Sequence, residues 1–275
     1  MNALEHVTVV RREGAALAAA ARLGLDVAVP TCGSWTLDRL VRHVGRVHRS
    51  TAEILTSRAT SAPPPPARGA DGARGADGAR GADGADGARG ADGADGARGA
   101  DPADAVGYLE EGLDELVAVL TETDPSAPVW NFSAGEQVAG FWHRRMAHET
   151  AVHRWDAQNA HGIGQLIEPD QAVDGVDELF TVMAPRVLAR LREQGAASTF
   201  VPRSYRFTAS DAGRSWLVVL GETVEVSAEP AAAQVSVSAP GGRLLLALYG
   251  RLDAGAVVAE GDQALFADWQ AIVRV

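Results

Sequence analysis

A chain of 275 residues with a formal charge of -11 is long enough for one large or two ordinary domains. Its acidity argues against a nucleic-acid or anionic-membrane surface, because neither polyanion gains from an acidic partner. Cys32 is the single cysteine, which excludes an intrachain disulfide and fits a reducing compartment. The apolar run at Val7 to Val10 stops at Arg11, far short of a secretory signal core, and no run approaches the roughly 20 apolar residues of a membrane-spanning helix. The expectation is a soluble, cytoplasmic, two-domain protein whose partner is a small molecule.

Leu4, Val7, Val10, Ala15, Leu17 and Ala21 recur near helical spacing and predict a first amphipathic helix over 3–23, ending around Gly24. A second is predicted from Thr36, a residue type that caps helices, to about Ser57; Asp38 suits its first turn, and Trp35 with Leu40 has the spacing of a hydrophobic staple. Residues 62–101 are a proline run followed by Gly-Ala-Asp and Gly-Ala-Arg triplets. The triplets lack the proline of a collagen helix and have almost no large side chain to offset the entropy of ordering, so the stretch reads as a disordered insertion. Tyr108, Leu109, Leu113, Leu116, Val117 and Leu120 predict a third helix ending before Asp124 and Pro125. Ser133 to Glu136 has the form of a capping box and opens a predicted fourth helix running through Phe141, Trp142, Met146, Val152 and Trp155 to Gly162. Four helices with short or floppy connections imply an antiparallel bundle. A fifth, from about Pro169 to Glu193, contains Pro185 and is expected to kink there.

Beyond residue 200 the period changes from helical to alternating. Residues 205–207, 216–220, 224–226, 235–237 and 243–249 read as strands between Gly, Pro and Asp turns, and 263–273 closes the chain as a helix or a strand. The expected fold class is α+β, with a helical bundle over 1–165 and a small α+β domain over 166–275.

The chemistry is concentrated in His148-Glu149-Thr150-Ala151-Val152-His153. At about 100° per residue, Glu149 and His153 lie about 40° apart on one helical face, whereas His148 and His153 diverge by about 140°. In the zincin pattern two histidines four apart leave the intervening glutamate as general base. Here the spacing is one residue too long, and Glu149 becomes a ligand. A third ligand has to come from a facing helix. The second helix offers His43 and His48; against a buried face of Leu37, Leu40, Val41, Val44 and Val47, His43 points inward and His48 lies nearer the edge. Two imidazoles and a carboxylate suit zinc and leave positions open for water or a substrate atom. The competing reading is an ion pair along the helix for Glu149 and His153, with His43 as a core histidine. Arg145, four before Glu149, is placed to orient that carboxylate, to meet a substrate anion, or simply to pair with it. Asp156, three after His153, is placed either to accept the second ring proton or to face solvent. Cys32, beside Trp35, reads as a small buried residue rather than a nucleophile.

Cys32-Gly33-Ser34-Trp35-Thr36 running into Leu40-Val41-Arg42-His43-Val44-Gly45, together with Arg144-Arg145-Met146-Ala147-His148-Glu149 and the following Thr150 to Asp156, resembles the mycothiol-dependent maleylpyruvate isomerase family of actinobacteria. The resemblance covers nearly the whole chain apart from the triplet insertion. It implies a DinB-like four-helix bundle in which His43, Glu149 and His153 bind a divalent metal, zinc in the first instance. It also implies a C-terminal domain similar to sterol-carrier proteins, whose recurrent stretches Asp174 to Glu178 and Leu248-Tyr249-Gly250-Arg251-Leu252 resemble. Mycothiol is the implied cosubstrate and a small electrophile the substrate, with Arg251 matching an arginine that helps the family's isomerase act on a dicarboxylate. The implied activity is addition of a metal-bound thiolate, as an isomerase or an S-transferase. A thiol-independent DinB-like metallohydrolase and a non-catalytic small-molecule binding protein are the alternatives. Because protonated imidazoles cannot coordinate, the ion is expected to be released as pH falls through about 6.

Overall fold

The computed structural model describes residues 1–63, 103–195, 201–229 and 231–273. The predicted insertion therefore lies, from residue 64 onward, outside the described residues. The chain divides into two compact units, Asn2–Gln165 and Leu166–Val275 with Met1.

In the first unit, α1 spans Ala3–Ala21 behind a reciprocal cap: Asn2 accepts from the Glu5 amide, and the Glu5 carboxylate accepts from the Asn2 amide. Helix α2 spans Leu37–Thr56 with Thr36 at its N-cap, and Trp35 and Leu40 share one buried cluster. Helix α3 spans Ala105–Glu122, where the Asp104 carboxylate accepts from the Gly107 amide. Helix α4 spans Gly140–Ala160. The helices α1 and α2 each pack against both α3 and α4. Gly45 sets how closely α2 approaches α3, since a Cβ there would stand 2.8 Å from Cδ1 of Tyr108 and 3.3 Å from the Leu109 backbone.

The fourth helix departs from its predicted start. Ser133 does not cap it: the Ser133 amide and hydroxyl both donate to Asn131 Oδ1, at 3.0 and 2.6 Å, and Pro128 bridges Val138 in antiparallel fashion. The residue types of a capping box also build side-chain turns, and here the turn wins. Helix α4 begins only at Gly140, without a side-chain cap. It buries nearly its whole circumference, including His143, Arg145, His148, Glu149, Thr150, His153, Arg154, Asp156 and Gln158. Polar groups buried at this density require partners, and those partners make the site described below.

In the second unit the predicted fifth helix is broken into α5 (Pro169–Glu178), a π-helical turn (Leu179–Met183) and α6 (Ala184–Glu193). The widened turn lies immediately before Pro185, where a regular helix would press the proline ring on the carbonyl one turn back. Strands β1 (Arg203–Ala209), β2 (Arg214–Leu220), β3 (Val224–Ser227), β4 (Val235–Ala239) and β5 (Val258–Gly261) form one sheet in the order β3-β2-β1-β4-β5. The β1–β4 pair is parallel and the others antiparallel. Alternation places Tyr205, Phe207, Trp216, Val218, Val235 and Val237 on the buried face, where Phe180 stacks on Phe207 at 5.3 Å between centroids and Trp269 meets it edge-on.

Two sequence expectations are corrected here. Residues 243–249 are not a strand; α7 spans Gly241–Leu248. A continuous Leu-rich run fits a buried strand and a buried helix equally by periodicity, and the packing of α7 against α5 selects the helix. Strand β5 has no predicted counterpart, because as a short, largely exposed edge it carries no alternation to read. The closing segment is the helix α8, Ala264–Ile272. The whole is an α+β chain, a helical unit followed by a unit built on a five-stranded sheet.

Candidate metal centre

Helix α4 presents Glu149 and His153 one turn apart, and α2 presents His43 towards them. Each of the three is 7% exposed. His153 Nε2 lies 3.1 Å from Glu149 Oε1, and His43 Nε2 lies 3.6 Å from the same oxygen. The two imidazoles meet edge to face with centroids 5.4 Å apart. The 3.6 Å separation is too long for a hydrogen bond. It is, however, the separation expected of two ligands sharing one ion: donors at about 2.1 Å from a tetrahedral zinc stand roughly 3.4 Å apart. The donor set of two nitrogens and one oxygen, within 4.8 Å of one another, fits a divalent cation.

Each donor is held from behind. Arg145 Nη2 donates to Glu149 Oε2 at 2.9 Å, leaving Oε1 for the site. Asp156 Oδ2 lies 3.0 Å from His153 Nδ1, and Trp35 meets the His43 ring edge-on at 5.1 Å. Arg145 and Asp156 thus sit where their spacing on α4 put them, and Asp156 is wholly buried rather than solvent-facing.

The electrostatics follow the geometry. Burial works to raise the Glu149 carboxyl, yet the charge and hydrogen bond of His153, the close approach of His43 and the charge of Arg145 outweigh it and hold the group well below the ordinary carboxylate range. Burial likewise works to lower His153, but the Glu149 charge and the bonds of Asp156, Cys32 and Glu149 hold it well above the usual imidazole value. His43 is lowered, chiefly by burial and also by the nearby charges of His153 and Arg46.

His48 does not lie at the helix edge as expected. It is fully buried, bonded through Nε2 to Thr150 Oγ1 at 3.0 Å, and burial depresses its pKa to about 3. His148 turns away from Glu149 and meets His6 of α1 edge-on at 6.1 Å. Cys32 is buried as expected, but it also adjoins the site, with Sγ 3.7 Å from Asp156 Oδ2. Arg251 belongs to the other unit, just beyond α7, where Nη1 donates to the Tyr249 carbonyl at 3.0 Å.

Residues 7–158 match the mycothiol maleylpyruvate isomerase N-terminal domain, and residues 170–268 match the C-terminal domain of the same family. The chain belongs to the mycothiol maleylpyruvate isomerase family. A crystal structure of the mycothiol-dependent maleylpyruvate isomerase is similar to it with a TM-score of 0.52 at 15% identity, over 94% of this chain and 93% of that one. A histidine-to-alanine mutant of that isomerase gives the same TM-score at 14% identity over the same shares. At such identities the likeness concerns the fold, which this chain shares with the maleylpyruvate isomerase along almost its full length. No functionally curated protein gives a significant match.

Of the residues reaching the site from outside α4, His43 was marked by the buried face of its own helix, whereas Thr31 was not. Thr31, whose hydroxyl donates to Asp156 Oδ1 at 2.6 Å, lies in an irregular loop whose spacing gives no sign that it reaches α4. No helix among the described residues is long and apolar enough to cross a membrane.

Proposed function

We propose that this chain is a divalent-metal enzyme that uses mycothiol, a low-molecular-weight thiol, to act on a small electrophile, as an isomerase or an S-transferase. In this reading residues 1–165 are the metal-binding domain, and residues 166–275 form a second domain whose Arg251 meets an anionic group of the substrate. The observation that carries the proposal is the convergence of His43 Nε2, Glu149 Oε1 and His153 Nε2 from two helices at separations suited to one shared ion. Zinc is the proposed metal, because two imidazoles and a carboxylate are a borderline donor set.

A divalent cation held there supplies a Lewis acid beside which a thiol loses its proton at neutral pH. The chain's own groups prepare for it. Arg145 turns one carboxylate oxygen of Glu149 into the site, and Asp156 keeps the Nδ1 proton of His153 so that Nε2 faces inward. His43, lowered by burial, is neutral at pH 7 and offers its lone pair without first shedding a proton. As isomerase chemistry, the thiolate adds to a conjugated alkene, the former double bond rotates as a single bond, and elimination returns the other geometric isomer with the free thiol. As transferase chemistry, the adduct is the product.

Elemental analysis, then turnover of a conjugated electrophile with and without mycothiol, tests the proposal. The expected result is bound metal and turnover that needs both metal and thiol. Turnover with metal alone would instead identify water activation, a hydrolase. Protein that takes up no divalent ion would contradict the metal reading and leave small-molecule binding.

Metal binding is also expected to depend on pH in a direction set by His153. A pKa raised above the ordinary value means that the ion must displace a proton from His153 at neutral pH. Affinity therefore rises with pH until that raised pKa is passed, and below it falls about tenfold per pH unit for one displaced proton. Release is expected at higher pH than the value of about 6 for unperturbed imidazole ligands. Chelator competition between about pH 6 and about pH 8 measures this slope; a flat profile would contradict it.

A further inference from the structure

On the reading that this site holds a divalent cation, we propose that Thr31 is a positioning residue for it, fixing Asp156 and, through Asp156, the ring of His153. Asp156 lies in the last turns of α4 with 0% exposure, and its two oxygens are divided between two tasks. Oδ2 faces His153 Nδ1 at 3.0 Å, with Cys32 Sγ 3.7 Å away, while Oδ1 accepts the Thr31 hydroxyl at 2.6 Å. The Thr31 bond holds the second carboxylate oxygen while the first faces His153, which narrows the orientations open to the carboxylate and to the imidazole bonded to it.

Thr31 can act as an anchor because its loop is itself closed. The Val29 amide donates to the Trp35 carbonyl at 2.9 Å, the Cys32 amide to the Val29 carbonyl at 3.0 Å and the Trp35 amide to the Cys32 carbonyl at 3.2 Å. Ala28 bridges Thr36 in antiparallel fashion. Gly33 sits at φ +62°, a left-handed position that suits glycine. The loop is continuous with the N-cap of α2, so it is fixed to the helix that carries His43 and reaches across to the helix that carries His153. Trp35 of the same loop meets the His43 ring. One short segment therefore braces both imidazoles, one by an aromatic edge and the other by a hydroxyl acting through a carboxylate.

Thr31→Val removes the hydroxyl at nearly constant volume, and Thr31→Ser keeps it. Zinc affinity is read by chelator competition, the geometry by the visible spectrum of the cobalt-loaded protein, and the fold by melting of the metal-free protein. Thr31→Val is expected to weaken zinc binding by up to about 10-fold, the low end of the effect of losing a direct partner of a ligand, because Thr31 acts one step further out through Asp156, and to change the cobalt spectrum. Thr31→Ser is expected to restore both. Thr31→Ala is read in the same way should the valine methyl disturb the loop. Zinc affinity and a cobalt spectrum equal to the parent's in the hydroxyl-free variants would overturn the role of Thr31 and leave the metal reading intact. A parent protein that binds neither ion would overturn both.

Discussion

Replacing His43 by alanine is expected to weaken divalent-metal binding by at least about 100-fold, beyond the range associated with loss of an outer partner, and to abolish thiol-dependent turnover. The reason is geometric. Glu149 and His153 belong to one helical turn, so without His43 only two donors from a single helix remain, and no side chain from α2 closes the site. The fold should survive, because the α2 core residues Leu37, Leu40, Val41 and Val44 are untouched. His48→Gln serves as the matched control. His48 is fully buried on the same helix but bonded to Thr150, so its loss should leave metal affinity near the parent value. Competition with a chromophoric chelator measures both variants, and parent-like affinity in His43→Ala would contradict the assignment of His43 as a ligand.

The largest stability effect is expected away from the site, at the buried pair that joins α1 to α4. Arg154 Nε donates to Glu13 Oε2 at 2.5 Å, with 3% exposure for Glu13 and 4% for Arg154. The same guanidinium donates to Gln158 Oε1 at 2.9 Å and to the Gln165 carbonyl. Glu13→Ala strands that cation in the interior, and breaking a buried pair from one side costs about 3–5 kcal/mol. For a chain of this size that corresponds to a fall in melting temperature of roughly 6–20 °C. Replacing both partners by apolar residues, Glu13→Leu with Arg154→Met, should recover much of the loss, since no buried charge is then left unpaired; Arg12, which bonds the other Glu13 oxygen at 2.7 Å, is half exposed and can be hydrated. Thermal melts of the two variants decide it: a single variant that melts within about 2 °C of the parent would show that the pair contributes little.

How much of this was legible in the sequence varies with the range of the interaction. The i,i+4 step from Glu149 to His153, the same step back to Arg145, and the three-residue step to Asp156 are properties of one helix, and any helix bearing those residues brings them to one side. The choice between His43 and His48 was a matter of degree on sequence grounds. The structure buries both, and separates them by what they meet: His43 faces the Glu149–His153 pair, while His48 ends on the Thr150 hydroxyl. Thr31 was invisible because its contact with Asp156 joins a loop without helical or strand periodicity to a distant helix. The start of α4 was misread for a related reason, since the residues of a cap also build the Asn131 turn, and only the bridge from Pro128 to Val138 selects between them.

Taken by itself, the order of residues determined what local periodicity can encode: the helices of the first half, the four alternating strands of the second, and the side of α4 on which a carboxylate and an imidazole coincide. Tertiary structure alone decided whether the Leu244–Leu248 run coils or extends, where the edge strand β5 finds a partner, and which side chains from α2 and its preceding loop arrive at that side of α4. Local spacing constrains angles about one helix axis, whereas convergence of groups from different elements depends on how their apolar faces pack, and that is a property of the folded chain as a whole.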